Sequence, residues 1–169
     1  MTENAAFVEE ATKKSGLIWL GLPDLAYPRA AWHVWHEGAA YVVTGGIEQP
    51  LPGLPVAERI TVTVRSKDKG GHILSWIADV AQVKPESDEW KAVVPVLAKA
   101  RLNAPDGEGQ IERWGDEAYV IRLTPTGEVP QGPGGMPDDY AAVRPVPSPA
   151  TTTGRSPFMI GARRRRADR

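Results

Sequence analysis

A mainly β protein, an antiparallel barrel with peripheral helices, is the fold this 169-residue chain predicts, on three observations. The stretch Glu58–Val83 reads as a long hairpin. Ile60, Val62 and Val64 fall on one face, Arg59, Thr61, Thr63 and Arg65 on the other, and Gly70-Gly71 supplies the reversal before a second β-rich run from His72. Other strand-like runs follow one another without the crossover helices that parallel pairing requires. The helical stretches are short, and six strands with modest helices close most simply as an antiparallel barrel.

Composition bounds what the chain can do. At 18.3 kDa it has room for one domain with a proper core, plus a tail. A formal net charge of -1 gives no bulk attraction to nucleic acid or to an acidic membrane. There is no cysteine, which excludes disulfides, thiolate nucleophiles and cysteine-ligated metal centres. With three histidines, no nucleophile–base pair can be assigned from the sequence. The first residues are acidic and lack a long apolar run, so neither a signal peptide nor a membrane anchor is expected, and the expected location is cytoplasmic.

In chain order, Glu3–Lys14 predicts a helix, with Phe7, Val8 and Ala11 at helical spacing and Lys13 and Lys14 at its end. Leu17–Leu22 is a compact apolar run with the length of a buried strand. Ala30–Glu37 and Ala39–Thr44 predict a hairpin turned at Glu37-Gly38. Ile47–Ala57, with Pro50, Pro52 and Pro55, reads as an exposed loop. After the long hairpin, Ser87 is an N-cap for a helix burying Trp90, Val93, Val94, Leu97 and Ala98, with a kink or break expected at Pro95. Ala118–Leu123 is the last strand.

From Thr124 onward lie eight of the 16 prolines and six of the 17 glycines, without helix or strand periodicity. The expected division is therefore a barrel domain over 1–124 and a partly disordered tail over 125–169. The first carries 13 Lys/Arg against 17 Asp/Glu, the second seven against four. The run Arg163–Arg166 can attract an acidic partner or nucleic acid, but no basic face in the domain extends it, and a solvated tail is the simpler reading. The apolar cluster Phe158, Met159 and Ile160 beside Arg155 suits docking on a surface, such as that of a dimer partner.

The leading helix, the Trp-rich string A-W-H-V-W-H, the strand A-Y-V-V-T-G, the strand I-T-V-T-V-R-S-K and the long strand after it together resemble the FMN-binding split-barrel superfamily, that of pyridoxamine 5'-phosphate oxidase. The resemblance covers residues 1–124. It implies a six-stranded split barrel, a homodimer, and a flavin at the subunit interface whose phosphate is held by basic residues near the rim. FMN is the expected cofactor, with deazaflavin, haem or none as the superfamily's other options. One departure stands out. Flavin-binding relatives carry a basic residue soon after the strand that here ends at Thr44, whereas this chain has G-G-I-E-Q-P, and Glu48 would repel a phosphate.

Three groups are candidates for the cofactor. Arg65, Lys67 and Lys69 share one face of an extended strand and can present converging charge to a phosphate, with Thr61 and Thr63 beside them; the alternative is a solvated hairpin tip. Trp35, on the face opposite Trp32 and His36, can stack on an isoalloxazine, or else serves a core or interface. Thr44 with Gly45 and Gly46 can bring backbone close to a ligand, or simply ends a strand. His72 reads as a surface residue near the turn. The expected role is an FMN-dependent oxidoreductase of unknown substrate, the cofactor carrying the redox chemistry; the alternative is a cofactor-free binding or scaffold module.

Overall fold

Alternation builds the central pair of strands. In the computed structural model, which describes residues 3–137, β5 (Arg59–Arg65) buries Ile60, Val62 and Val64 and leaves Arg59, Thr61 and Arg65 exposed. The chain turns at Gly70, which takes φ +66°, and returns as β6 (His72–Val83), with Thr63 opposite Ser75 and Thr61 opposite Ile77. β1 (Ile18–Gly21) and then β2 (Arg29–Ala31) extend the sheet beyond β5. Beyond β6 come β7 (Tyr119–Pro125), β4 (Ala39–Thr44) and β3 (Val34–His36). All neighbours are antiparallel, in the order β2-β1-β5-β6-β7-β4-β3. The sheet curls into a half-barrel around Leu20, Val62, Trp76, Ile121 and Leu123, with Val8 and Ala11 of α1 (Glu3–Lys14) packed into the same core.

The strand count is seven, one more than expected, because Ala30–Glu37 is not one strand. It breaks at Trp32-His33. The Gln49 carboxamide accepts from Trp32 N at 2.9 Å and donates to Trp32 O and Val43 O at 3.1 Å each, so a side chain takes the place of a strand ladder there. His33 turns the other way, its Nε2 2.9 Å from Thr12 O at the end of α1. The break sends β2 to one edge of the sheet and β3 to the other. The predicted turn at Glu37-Gly38 holds, with φ values of +45° and +84° that a tight hairpin requires.

Helices cover the outside of β4 and β7. α2 (Asp88–Ala100) is capped by Ser87, whose Oγ accepts from Trp90 N at 3.1 Å, and buries Trp90, Val93, Val94 and Leu97. It runs as one helix through Pro95 and not as two short ones; the proline is exposed, and the apolar face is continuous on both sides of it. α3 (Gln110–Glu117) was not foreseen, since Trp114 is its only fully buried apolar residue. Together they give a second core with Tyr41, Val43 and Val120. Hence all six residues of β4 are buried, Ala40 and Val42 in the barrel core and Ala39, Tyr41 and Val43 in the second.

The expected exposed loop over Ile47–Ala57 is also corrected. Leu51 and Leu54 are buried in the barrel core, the latter in a short 3-10 turn entered through Gly53 at φ +78°. Past β7, backbone pairing continues: Thr126 N donates to Ile77 O, Ile77 N to Glu128 O and Ser75 N to Gln131 O, at 3.0, 3.0 and 2.7 Å. Arg155, Phe158–Ile160 and Arg163–Arg166 lie outside the described residues. Among the described residues, no helix is long and apolar enough to cross a membrane.

Candidate functional site

Among the described residues, no helix packs on the outer face of β1 and β5. The register aligns Trp19, Thr63 and Ser75 in one row across the three strands, and Gly21, Thr61 and Ile77 in the next. Thr63 and Ser75 share a hydrogen bond of 2.8 Å. Arg65 closes β5 at the end of this floor. Its guanidinium carbon lies 5.4 Å from the centroid of the Trp19 ring, and its Nε donates to Gly70 O at 2.7 Å. Stacking on the indole orients the guanidinium without neutralising it. Among the described residues, neither Arg65 nor Lys67 forms an ion pair.

Two clefts flank Arg65 and share Ser15, Ser66 and Lys67. One, of 380 Å³, lies between α1 and the hairpin tip, with Phe7 and Ile73 as apolar wall and Lys14 as a further cation. The other, of 350 Å³, runs along Leu17 and Trp19. Glu10 and Asp68 are the carboxylates in this region, and Glu10 is paired with Lys14 at 2.6 Å. The Lys14 ammonium, by hydrogen bonding and then by its charge, holds the Glu10 carboxyl below its ordinary range. Two unpaired cations, serine hydroxyls and an indole wall suit a planar ligand that ends in a phosphate.

A larger cleft of 590 Å³ is a poorer candidate. It lies where His36, Glu37 and Tyr41 meet the first turn of α2. Its central carboxylate is already engaged: Tyr41 Oη and Arg122 Nη1 both donate to Glu89 Oε1 at 3.0 Å, while His36 Nε2 and Arg122 Nε have no hydrogen-bond partner among the described residues. Burial, then the Glu89 carboxylate, pushes the Tyr41 hydroxyl up to about 12. Glu37, Asp88 and Glu89 outnumber Arg122 and would repel a phosphate.

The predicted residues divide. Thr61, Thr63 and Arg65 lie on the outer face of β5, but the strand ends at Arg65, so Lys67 and Lys69 do not continue its face in the way expected; Lys67, in the turn, still lines both clefts. Lys69 is exposed in the turn and does not line either cleft. Thr44 lies three strands away from β5; it is buried, with its hydroxyl donating to Gln49 O and accepting from Leu51 N. Trp35 packs edge-on against Trp76 in the barrel core, their ring centroids 6.4 Å apart. Sequence reasoning missed Trp19, Ser15 and Ser66. Only the pairing of β1 with β5 brings the first two beside Arg65. It also missed that His72 Nε2 lies 2.9 Å from Ser75 Oγ. Ser75 is buried, and its hydroxyl already meets Thr63 and Gln131, so the pair serves as a hydrogen-bond cluster and not as an exposed nucleophile.

Glu48 does not face the outside. Its side chain has no exposure and sits among three donors: Arg101 Nε at 2.9 Å, Trp114 Nε1 at 3.0 Å and Arg113 Nη2 at 3.1 Å. Arg113 also grips Asp106 with two bonds, and Arg101 lies over the Trp32 ring. Burial alone would raise the Glu48 pKa, but the hydrogen bonds from Trp114, Arg101 and Arg113 outweigh it and hold the carboxyl below its usual value. The expected repulsion of a phosphate by Glu48 is thereby removed, since its charge is spent inside the protein.

Comparison with solved structures agrees with this architecture. The chain is similar to the haem storage protein HutZ from Vibrio cholerae, with a TM-score of 0.53 at 15% identity over 73% of this chain and 91% of that one. It is similar to a candidate pyridoxamine 5'-phosphate oxidase from Listeria innocua, with a TM-score of 0.52 at 12% identity over 76% and 98%. A candidate 5-nitroimidazole antibiotic resistance protein from Bacteroides thetaiotaomicron gives 0.51 at 11% identity over 75% and 82%. No protein-family model and no curated protein sequence matches the chain.

Proposed function

With the split-barrel fold of the pyridoxamine 5'-phosphate oxidase-like proteins as the premise, we propose that the protein binds a flavin-type cofactor, FMN first among them, on the outer face of β1, β5 and β6, and acts as an oxidoreductase. The observation that carries this reading is Arg65: without an ion pair among the described residues, set over the Trp19 ring, and placed between two clefts that share Lys67, Ser15 and Ser66. Arg65 and Lys67 would hold the phosphate, with the serine hydroxyls completing its shell, and Thr61 and Thr63 would line the floor beneath the ring. Bound flavin would supply the hydride and electron chemistry, and the chain would supply position and charge. The uncovered face, with Leu17 47% exposed at its rim, suits a second copy of the chain, and a homodimer would close the clefts.

The test is a titration of the purified full chain with FMN, followed by absorbance between about 350 and 500 nm, with haemin and a deazaflavin as parallel arms. FMN binding at micromolar concentration is expected, weakened about tenfold or more in Arg65→Ala, which is about 1.4 kcal/mol. No binding of FMN overturns the FMN assignment. Haemin binding alone would move the same cationic cleft to a carboxylate-bearing macrocycle.

A further inference from the structure

The Glu48 cluster gathers three donors on one buried carboxylate, with Arg113 Nη1 still without a partner among the described residues, and the flavin reading makes no use of it. A carboxylate with no solvent exposure is met by two guanidinium groups and an indole N–H from two separate places in the chain: Arg101 at the end of α2, and the adjacent Arg113 and Trp114 of α3. Trp32 stacks on Trp114 at 6.3 Å and lies under Arg101, so the donors are backed by rings that restrain them. Arg113 is held from behind by Asp106. Such an array is organised around an anion, and it is anchored without Glu48's help. Glu48 itself arrives on a short loop that leaves β4 through Gly45 and Gly46, at φ +98° and +54°.

We propose that Arg101, Arg113 and the Trp114 indole N–H form an anion-binding site for a small carboxylate, which the chain fills with its own Glu48 to latch the Gly45–Pro50 loop. The tethered carboxylate has an effective concentration far above that of free anions, so the site is closed in the intact protein and is revealed when Glu48 is shortened.

The experiment uses the full chain carrying Glu48→Ala, melted in sodium formate or acetate and in sodium chloride at equal ionic strength. A lower melting temperature than the parent is expected in chloride. Formate should raise it saturably and recover more than half the loss, whereas the parent should respond to formate and chloride alike. Glu48→Ala combined with Arg113→Met should lose the formate response. An equal response to formate and chloride in Glu48→Ala, or an undiminished formate response in the double variant, overturns the proposal. Should Glu48→Ala fail to fold in chloride, formate-dependent recovery of folded chain on refolding supports the site, and no recovery overturns it.

Discussion

Glu48→Gln isolates charge from shape. The carboxamide matches the carboxylate in volume, so the cavity contribution to its cost is close to nil. It keeps one acceptor oxygen where the parent has two, and turns an N–H₂ group toward a guanidinium. Three donors then compete for one acceptor, and Arg101 and Arg113, whose side chains are 23% and 14% exposed, lose their shared counter-charge. Stranding one side of a buried ion pair costs about 3–5 kcal/mol. Arg113 retains Asp106 and Arg101 retains some water, which places the expected loss near the lower end, at about 3 kcal/mol. For a folded unit of this size that is a fall in melting temperature of roughly 10 °C. The pH dependence gives a second handle. The Glu48 pKa is lower in the folded state than in the unfolded chain, so its stabilisation is present above the unfolded value of about 4.3 and is lost as pH falls through the depressed folded value. Thermal melts followed by tryptophan fluorescence should therefore show the gap between parent and variant at pH 7 and its narrowing in acid. A gap below about 1 kcal/mol at neutral pH, or one that pH leaves unchanged, would refute the assignment of the network as a charge-dependent clamp.

Arg65→Lys keeps the charge but loses the planar fork and its stacking on Trp19, so flavin affinity is expected to fall between parent and Arg65→Ala, with melting temperature unchanged for both; equal affinities for lysine and alanine variants would count against phosphate recognition by the fork. Gln49→Leu leaves Trp32 N, Trp32 O and Val43 O without their partner and should cost about 1–3 kcal/mol, read as a lower urea midpoint with unchanged slope. Burial lowers the His33 pKa, the Thr12 carbonyl partly offsetting it, so the unfolded chain takes up a proton first and stability is expected to fall as pH drops below about 6.5. In His33→Gln this component should vanish, leaving only the losses at lower pH; a parent melting temperature flat from pH 7 to about 5.5 would contradict it.

What could be read from the sequence was whatever short-range periodicity encodes. β5 and β6 were legible because alternation over seven residues and a glycine turn are local signals. α1 and α2 were legible from their apolar spacing and, for α2, the Ser87 cap. The break at Trp32-His33 was not, because its cause is Gln49, 17 residues away, whose carboxamide substitutes for a strand. α3 escaped because it is only eight residues long, with Ile111 and Trp114 as its two large apolar positions, so its spacing repeats too few times to stand out. Leu51 and Leu54 were hidden among prolines, which mark irregular backbone but say nothing about which side of it faces the core.

At the candidate site, the sequence pointed to Arg65 but misjudged which way Glu48 faces, and the reason is directional. Reading Glu48 as hostile to a phosphate assumed that a charged residue just past a strand end faces solvent. Whether it does depends on partners 53 and 65 residues further along, Arg101 and Arg113, which alone would be ordinary surface arginines. Once they turn inward to meet it, two positive charges and one negative leave the reckoning of the outer surface together, along with Asp106. The field at the Arg65 clefts is then set by Arg65, Lys67 and Lys14 against Glu10 and Asp68, of which Lys14 and Glu10 cancel each other. What remains is Arg65 and Lys67 against the single exposed carboxylate of Asp68. That local excess of positive charge is small. It would draw in an anion only because the two cations are unpaired among the described residues and because an indole face and two clefts stand beside them. Flavin binding that survived loss of both Arg65 and Lys67 would therefore require a phosphate site elsewhere in the fold.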